Sequence, residues 1–151
     1  MSVTPAMPNA ENGIFLAFDF GARHIGVATG QKVTKTATPI GSIPAKQGQP
    51  NWPQLDVIMK KWQPIGLVVG HPLNMDGSHQ PLTHRAEAFA AQLEVRYHLP
   101  VYLIDERLST KTARETLFDQ GGYKALKKDQ VDAVSAQIIL ESWLQQKTSD
   151  K

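Results

Sequence analysis

Residues 14–20 read IFLAFDF, apolar at every position except Asp19 and closed by Gly21. A run without polar alternation predicts a central strand buried on both faces. Residues 21–24 are a short polar turn and residues 25–29 resume as a strand, so the two predict a hairpin. A third strand is expected over residues 33–43, rich in Thr, Val and Ile. Pro39 and Gly41 there point to an edge or a bulge, where a missing ladder N–H is tolerated.

After a Gly, Gln and Pro loop over residues 46–53, Leu55, Ile58, Met59 and Trp62 recur at helical spacing until Pro64 ends the pattern. Residues 67–69, closed by Gly70, read as a buried parallel strand. The loop over residues 70–80 is long for its position, and long loops after strands often bind ligands. Leu82, Ala86, Phe89, Ala90, Leu93 and Tyr97 form one apolar stripe, predicting a helix over residues 81–98. Residues 101–104 form a fifth strand. Ser109 or Thr110 can cap a short helix through Phe118, ended by Gly121 and Gly122. A loop with Lys124, Lys127 and Lys128 leads into a last helix over residues 129–146, with Ala136, Ile139, Leu140 and Trp143 on its apolar side. This order predicts an α/β domain with a mixed five-stranded sheet, a three-strand antiparallel meander plus two parallel strands, flanked by helices. One domain is expected over residues 13–147, between a loose tail at 1–12 and a polar tail at 148–151.

Composition narrows the chemistry. The chain has 151 residues, 41% hydrophobic and 20% charged, which is ordinary globular usage. It has no cysteine, so a metal must be held by carboxylate, histidine or backbone oxygen, which favours magnesium or manganese. No apolar run approaches the roughly 20 residues needed to cross a bilayer, and residues 1–12 lack the pattern of a signal peptide, so a soluble, cytoplasmic protein with no membrane partner is expected. A net charge of +2 and a pI near 8.9 are compatible with a nucleic-acid partner without demanding one.

Three acids stand out. Asp19 ends an apolar strand and needs compensation for lost hydration, either from a metal ion or from hydrogen bonds to the Gly21 turn. Asp105-Glu106-Arg107 directly follows the fifth strand, at the end of the sheet where α/β ligand sites gather. Glu106 is the preferred ligand, Asp105 suits orienting Arg107 or a nearby loop, and a local ion pair is the competing reading. Asp132 lies 4, 7 and 11 residues before Ala136, Ile139 and Trp143, so it shares their inward stripe. It also suits the first turn of a helix capped by Asp129, and both roles can hold. Carboxylates from separate strands and a helix suit two-metal phosphodiester hydrolysis, with ions about 3.5–4 Å apart.

Positive charge brackets two of these acids. Arg107, Lys111 and Arg114 follow Glu106, and Lys124, Lys127 and Lys128 precede Asp132, a layout suited to phosphate, although any single lysine also fits a solvated face. Asn74, in the 74–80 segment, fits either a contact to a nucleic-acid backbone or a purely turn-forming role. Trp62 and Trp143 sit on apolar helix faces and are expected in the core. Trp52, expected in a loop, stays open to base stacking.

Asp19-Phe20-Gly21 with Ile25-Gly26-Val27-Ala28, Gly70 with Pro72 to Gly77, Asp105-Glu106-Arg107-Leu108-Ser109-Thr110, and Val131-Asp132 together resemble the YqgF family of pre-16S rRNA nucleases, relatives of Holliday-junction resolvases. The likeness runs in order from Phe15 to about Trp143. It implies an RNase H-like fold, and a cytoplasmic hydrolase of endonuclease type that matures the 5′ end of small-subunit ribosomal RNA. It places Asp19, Glu106 and Asp132 on the family's acidic, metal-holding and catalytic positions, with Mg2+ or Mn2+ as cofactor. Asp105, Asp129 and Asp76 are less securely matched. One departure is His71, where family members often carry an apolar residue; a satisfied loop histidine is expected. The implied substrate is pre-rRNA, in a pre-ribosomal particle, with branched DNA as the second choice. A non-catalytic RNA-binding assembly factor is the rival from another class. An actin-like ATPase also begins with Asp-x-Gly after a first strand but needs two such domains, and this chain has room for one.

Overall fold

The structure, a computed structural model of the chain, describes residues 13–21, 23–106 and 128–149, with side chains of the last segment from 132 to 146. The expected N-terminal tail, the short helix after Ser109 and the residues Arg107, Lys111, Arg114, Lys124 and Lys127 lie outside them. So does the side chain of Lys128.

The strands are β1 (Ile14–Phe20), β2 (His24–Gln31), β3 (Thr36–Lys46), β4 (Gln49–Pro50), β5 (Gly66–His71) and β6 (Val101–Asp105). The helices are α1 (Trp52–Trp62) before β5, α2 (Pro81–Tyr97) before β6, and α3 (Lys128–Ser149). The sheet order is β4-β3-β2-β1-β5-β6. β1 to β4 pair antiparallel in succession, while β5 pairs parallel to β1 and β6 parallel to β5. The mixed sheet is therefore as expected, with one more strand: Gln49 and Pro50 pair with Ala45 and Lys46 where a plain loop was anticipated. Two residues carry too little periodicity to announce a strand.

The third strand begins three residues later than expected because a turn with Lys35 at φ 57° precedes it, leaving Val33 exposed. Its register shifts between Val27 and Ala28, opposite Gly41 and Pro39, which is the bulge that Pro39 foretold. Asn51 caps α1 by accepting the Gln54 N–H at 3.1 Å, so the helix starts at Trp52. Trp52 is then no loop residue. It packs half-buried on the core and carries the Arg96 guanidinium 4.7 Å from its ring centre, which answers the open base-stacking assignment with a structural one. At the other end of the chain α3 is helical from Lys128, and the side chain of Asp129, the expected cap, lies outside the described residues.

Two cores lie on opposite faces of the sheet. Leu16, Phe18 and Phe20 of β1 pack with Leu55 and Met59 of α1 and with Ala86, Phe89, Ala90 and Leu93 of α2. Phe15 and Ala17 pack with Ile139, Leu140, Trp143 and Leu144 of α3. Period-2 alternation on a strand covered on both sides explains why β1 reads as unbroken apolar sequence. Phe89 meets Phe18 edge-on at 5.6 Å and Phe20 at 5.1 Å, and truncating it to Ala would cost about 3–5 kcal/mol. No helix among the described residues is long and apolar enough to cross a membrane.

Candidate active site

The alternation that sends Phe15 and Ala17 toward α3 sends Asp19 the same way. Its two strand neighbours at that level are glycines. Asp19 pairs with Gly26 on β2, and the β1–β5 register, which runs to Phe18 opposite Val69, places Gly70 on its other side. Neither glycine puts a side chain onto the α3 face, so the sheet is low on both flanks of Asp19.

The backbone of Asp132 fills one gap and the side chain of Glu106 the other. A β-carbon on Gly26 would collide with the Asp132 carbonyl oxygen and come within 3.1 Å of the Ala133 nitrogen, so the N-terminal part of α3 rests directly on β2. A β-carbon on Gly70 would collide with Glu106 Oε2 and lie 3.0 Å from Glu106 Cδ, so the Glu106 carboxylate covers β5. Adjacent strands stand about 4.8 Å apart, so the Asp132 backbone and the Glu106 carboxylate each lie over a strand next to that of Asp19. The three predicted acids converge on one face of the sheet, at the carboxyl ends of β1 and β6.

Asp132 Oδ2 is buried and has no hydrogen-bond partner among the described residues. A buried carboxylate oxygen left unpaired is costly, and a cation beside it removes that cost. The donors gathered here are all oxygen, the set that suits a hard divalent cation such as magnesium or manganese, so the residues fit the metal expected from the sequence.

Asp105 is separated from Glu106 by strand alternation. Ile104 belongs to the α3-side core, so Asp105, one residue on, is directed to the α2 side of the sheet, where it pairs in register with His71. His71 is the last residue of β5 and not a loop residue; it is satisfied, with Nε2 2.7 Å from Glu87 Oε2. Asn74 donates its side-chain amide to Ser78 Oγ at 2.9 Å and its backbone N–H to the Ser78 carbonyl oxygen, closing the turn. Asp76 accepts from the Ser78 backbone and hydroxyl in the same turn. The site features that sequence reasoning passed over are Gly26 and Gly70. Glycine inside an apolar strand marks a close approach of another backbone or group, and that signal was present in both motifs.

A family model described as "RuvX: Holliday junction resolvase" matches residues 13–146. This chain belongs to the RuvX family. Relatives carrying the name "Putative pre-16S rRNA nuclease" include one from Actinobacillus pleuropneumoniae serotype 5b, 58% identical over 86% of this chain and 95% of its own length. Another, from Escherichia coli O7:K1, is 53% identical over 89% of this chain and 98% of its own. The YqgF resemblance read from the motifs stands on these matches. Among solved structures, Thermus thermophilus RuvC in complex with a Holliday junction substrate superposes with a TM-score of 0.57 at 12% identity, covering 92% of this chain and 98% of that one. The fowlpox virus resolvase bound to junction DNA gives 0.53 at 10% identity, over 88% and 97%. At such identities the likeness is one of fold, the RNase H-like fold expected for the sheet and its helices.

Proposed function

We propose that this protein is a metal-dependent endonuclease that hydrolyses phosphodiesters in the 5′ extension of pre-16S rRNA during ribosome assembly in the cytoplasm. The observation that carries the reading is the convergence of Asp19, Glu106 and Asp132 over the Gly26–Asp19–Gly70 row, with Asp132 Oδ2 buried and without a partner among the described residues. The 53–58% identity to relatives named for pre-16S rRNA supports the substrate.

Asp19, Glu106 and Asp132 would hold one or two Mg2+ or Mn2+ ions. When bound, such ions supply Lewis-acid stabilisation of phosphoryl charge and activate water at neutral pH. The protein's part is rigidity: Asp19 sits on a central strand, Asp132 on a helix seated against that strand's partner, and Glu106 just past the end of β6. Arg107, Lys111, Arg114, Lys127 and Lys128, which bracket Glu106 and Asp132 in sequence, would bind substrate phosphates. Asn74 is proposed as a lesser contact to the nucleic-acid backbone, from the exposed turn that it closes.

Branched DNA is the second reading, favoured by the family description. The deciding experiment incubates the purified protein and Asp19→Asn with a 5′-extended small-subunit rRNA precursor and, separately, a four-way DNA junction, each with magnesium or manganese. RNA cutting by the wild type alone supports the proposal. Preference for the junction moves the function to recombination, and tight RNA binding without cutting of either substrate moves it to the assembly-factor reading.

A further inference from the structure

On the sheet face opposite the acids, a second group of metal-ligating side chains comes together. His71 ends β5 and follows the parity of Leu67 and Val69, so it is directed to α2. Glu87 comes from α2, His79 from the loop between β5 and α2, and His84 from the first turn of α2. His71 Nε2 stands 2.7 Å from Glu87 Oε2, and His84 Nδ1 stands 3.7 Å from Glu87 Oε1. The His79 ring lies 5.9 Å from that of His71 and 5.0 Å from that of His84. Ligand atoms of His71, His79 and Glu87 all fall within 4.8 Å of one another.

The hydrogen bond from His71 holds the Glu87 carboxyl below the usual carboxylate range despite partial desolvation, and the charges of His71, His79 and His84 add to it. Glu87 is thus an anionic donor at neutral pH. Two imidazole nitrogens and a carboxylate oxygen are the donor set of a zinc-class ion, with a fourth position left for water. At metal–nitrogen distances of about 2.0–2.1 Å, tetrahedral ligand atoms lie roughly 3.3–3.4 Å apart, so His71 and Glu87 open slightly while the longer separations close by little more than about an ångström. The exposed His79 can supply that movement.

The backbone beneath is fixed in advance. Buried Thr83 donates to the Pro72 carbonyl oxygen and accepts the Gln80 N–H at 3.0 Å, tying both ends of the loop to α2. The Asn74–Ser78 turn closes its middle. A site whose ligands stand on a strand end, a tied loop and a helix has much of its ordering entropy already met.

We infer that His71, His79 and Glu87 bind a zinc-class transition-metal ion, with His84 orienting Glu87 through its other oxygen. The ion takes the place of the hydrogen bond between His71 Nε2 and Glu87 Oε2, and it is distinct in class and place from the hard cation proposed beside Asp19. Imidazole selects borderline metals where an all-oxygen site selects magnesium. The bound ion clamps the 72–80 loop to α2.

The test uses the untagged full chain, stripped with chelator and held in excess magnesium so that the oxygen site is occupied. Zn2+ is titrated by calorimetry, and Co2+ by its visible absorption. The expected result is one ion per chain and a tetrahedral Co2+ spectrum. Loss of a direct ligand in His79→Ala should weaken affinity at least about 100-fold, since even outer contacts to ligands are worth about 10–100-fold. Glu87→Gln should weaken it while leaving the protein folded, and Asp132→Asn should leave it unchanged. Unaltered zinc affinity in both His79→Ala and Glu87→Gln, loss of binding in Asp132→Asn, or no saturable binding in the wild type would each overturn the inference.

Discussion

Gly26 lies directly beneath Asp132: the β-carbon that Gly26 lacks would fall on the Asp132 carbonyl oxygen. The contact is to backbone, which has no flexible end to swing away. Gly26→Ala should therefore lift the N-terminal part of α3, and with it the Asp132 carboxylate, from its place beside Asp19. A displacement near 1 Å at a reacting centre costs about 100-fold in rate. Overpacking at such a site adds about 1–3 kcal/mol of destabilisation. Cleavage rate and urea midpoint measured together check this, and a variant with wild-type activity would show that α3 does not set the site.

Gly70→Ala offers the contrast. Its β-carbon would meet the carboxylate end of Glu106 and, at 2.8 Å, Ile139 Cδ1, both ends of side chains that can turn. The variant should keep more stability than Gly26→Ala yet lose divalent-ion affinity, because Glu106 is the group that moves. Metal titration followed by thermal shift distinguishes the two variants, and equal ion affinity in Gly70→Ala and wild type would remove Glu106 from the site.

Metal removal has its own signature. An ion at about 100 times its dissociation constant adds roughly 2.7 kcal/mol to stability. For a chain of this size that corresponds to a rise in Tm of about 5–10 °C. Wild-type protein should gain that on addition of Mn2+ and lose it to chelator. Asp132→Asn should show no gain, while its metal-free form should melt no lower than wild type, since the buried unpaired oxygen is no longer charged. A metal-free Asp132→Asn that melts well below the wild type would mean that Asp132 is structural.

Much of this was legible in the chain. Asp19 announced itself because β1 is apolar on both faces, and Asp132 because its spacing from Ala136, Ile139 and Trp143 put it on the inward stripe of α3. Glu106 was already preferred to Asp105 from the sequence, but the physical separation of the two, the parity of Ile104, is not revealed by a five-residue strand without its partners. The strand Gln49–Pro50 and the helical start at Trp52 were missed because a two-residue pairing and an Asn cap ahead of a proline leave little periodic trace. The meeting of His71, His79 and Glu87 depends on a strand end, a loop and a helix coming together, and no sequence spacing encodes that.

Thr83 is buried, and its hydroxyl joins the Pro72 carbonyl to the Gln80 N–H. Thr83→Val keeps the shape and removes both bonds. Leaving such buried groups unpaired costs about 1–3 kcal/mol. Denaturant unfolding measures the loss, and hydrogen exchange should show faster exchange confined first to residues 72–80. A loss of stability with unchanged loop exchange would assign the cost to packing instead.

The Asp56 carboxylate gives a pH test with a definite sign. It joins α1 to α2, accepting from Arg96 at 3.1 and 2.7 Å and from the Tyr97 hydroxyl at 2.6 Å. The Arg96 hydrogen bond, reinforced by Tyr97, lowers the Asp56 pKa below its ordinary value of 3.8. A depressed folded-state pKa contributes stability that is present above the unfolded value and is lost as pH falls through the folded one. The Tm difference between wild type and Asp56→Asn should thus be level from about pH 5 to 8 and shrink below about pH 4. Tyr97 runs the other way. Burial, then its bond to Asp56, raises the phenol pKa, so its contribution is complete below about pH 10 and is lost as pH rises through the folded value. Tyr97→Phe should accordingly flatten the alkaline limb and leave the acid limb to Asp56. Because Arg96 and Asp56 are each about half exposed, solvent screens the pair and the shift should be a few degrees at most, smaller in high salt. A Tm difference for Asp56→Asn that persists unchanged to pH 2 would show that Asp56 acts through packing and not through its charge.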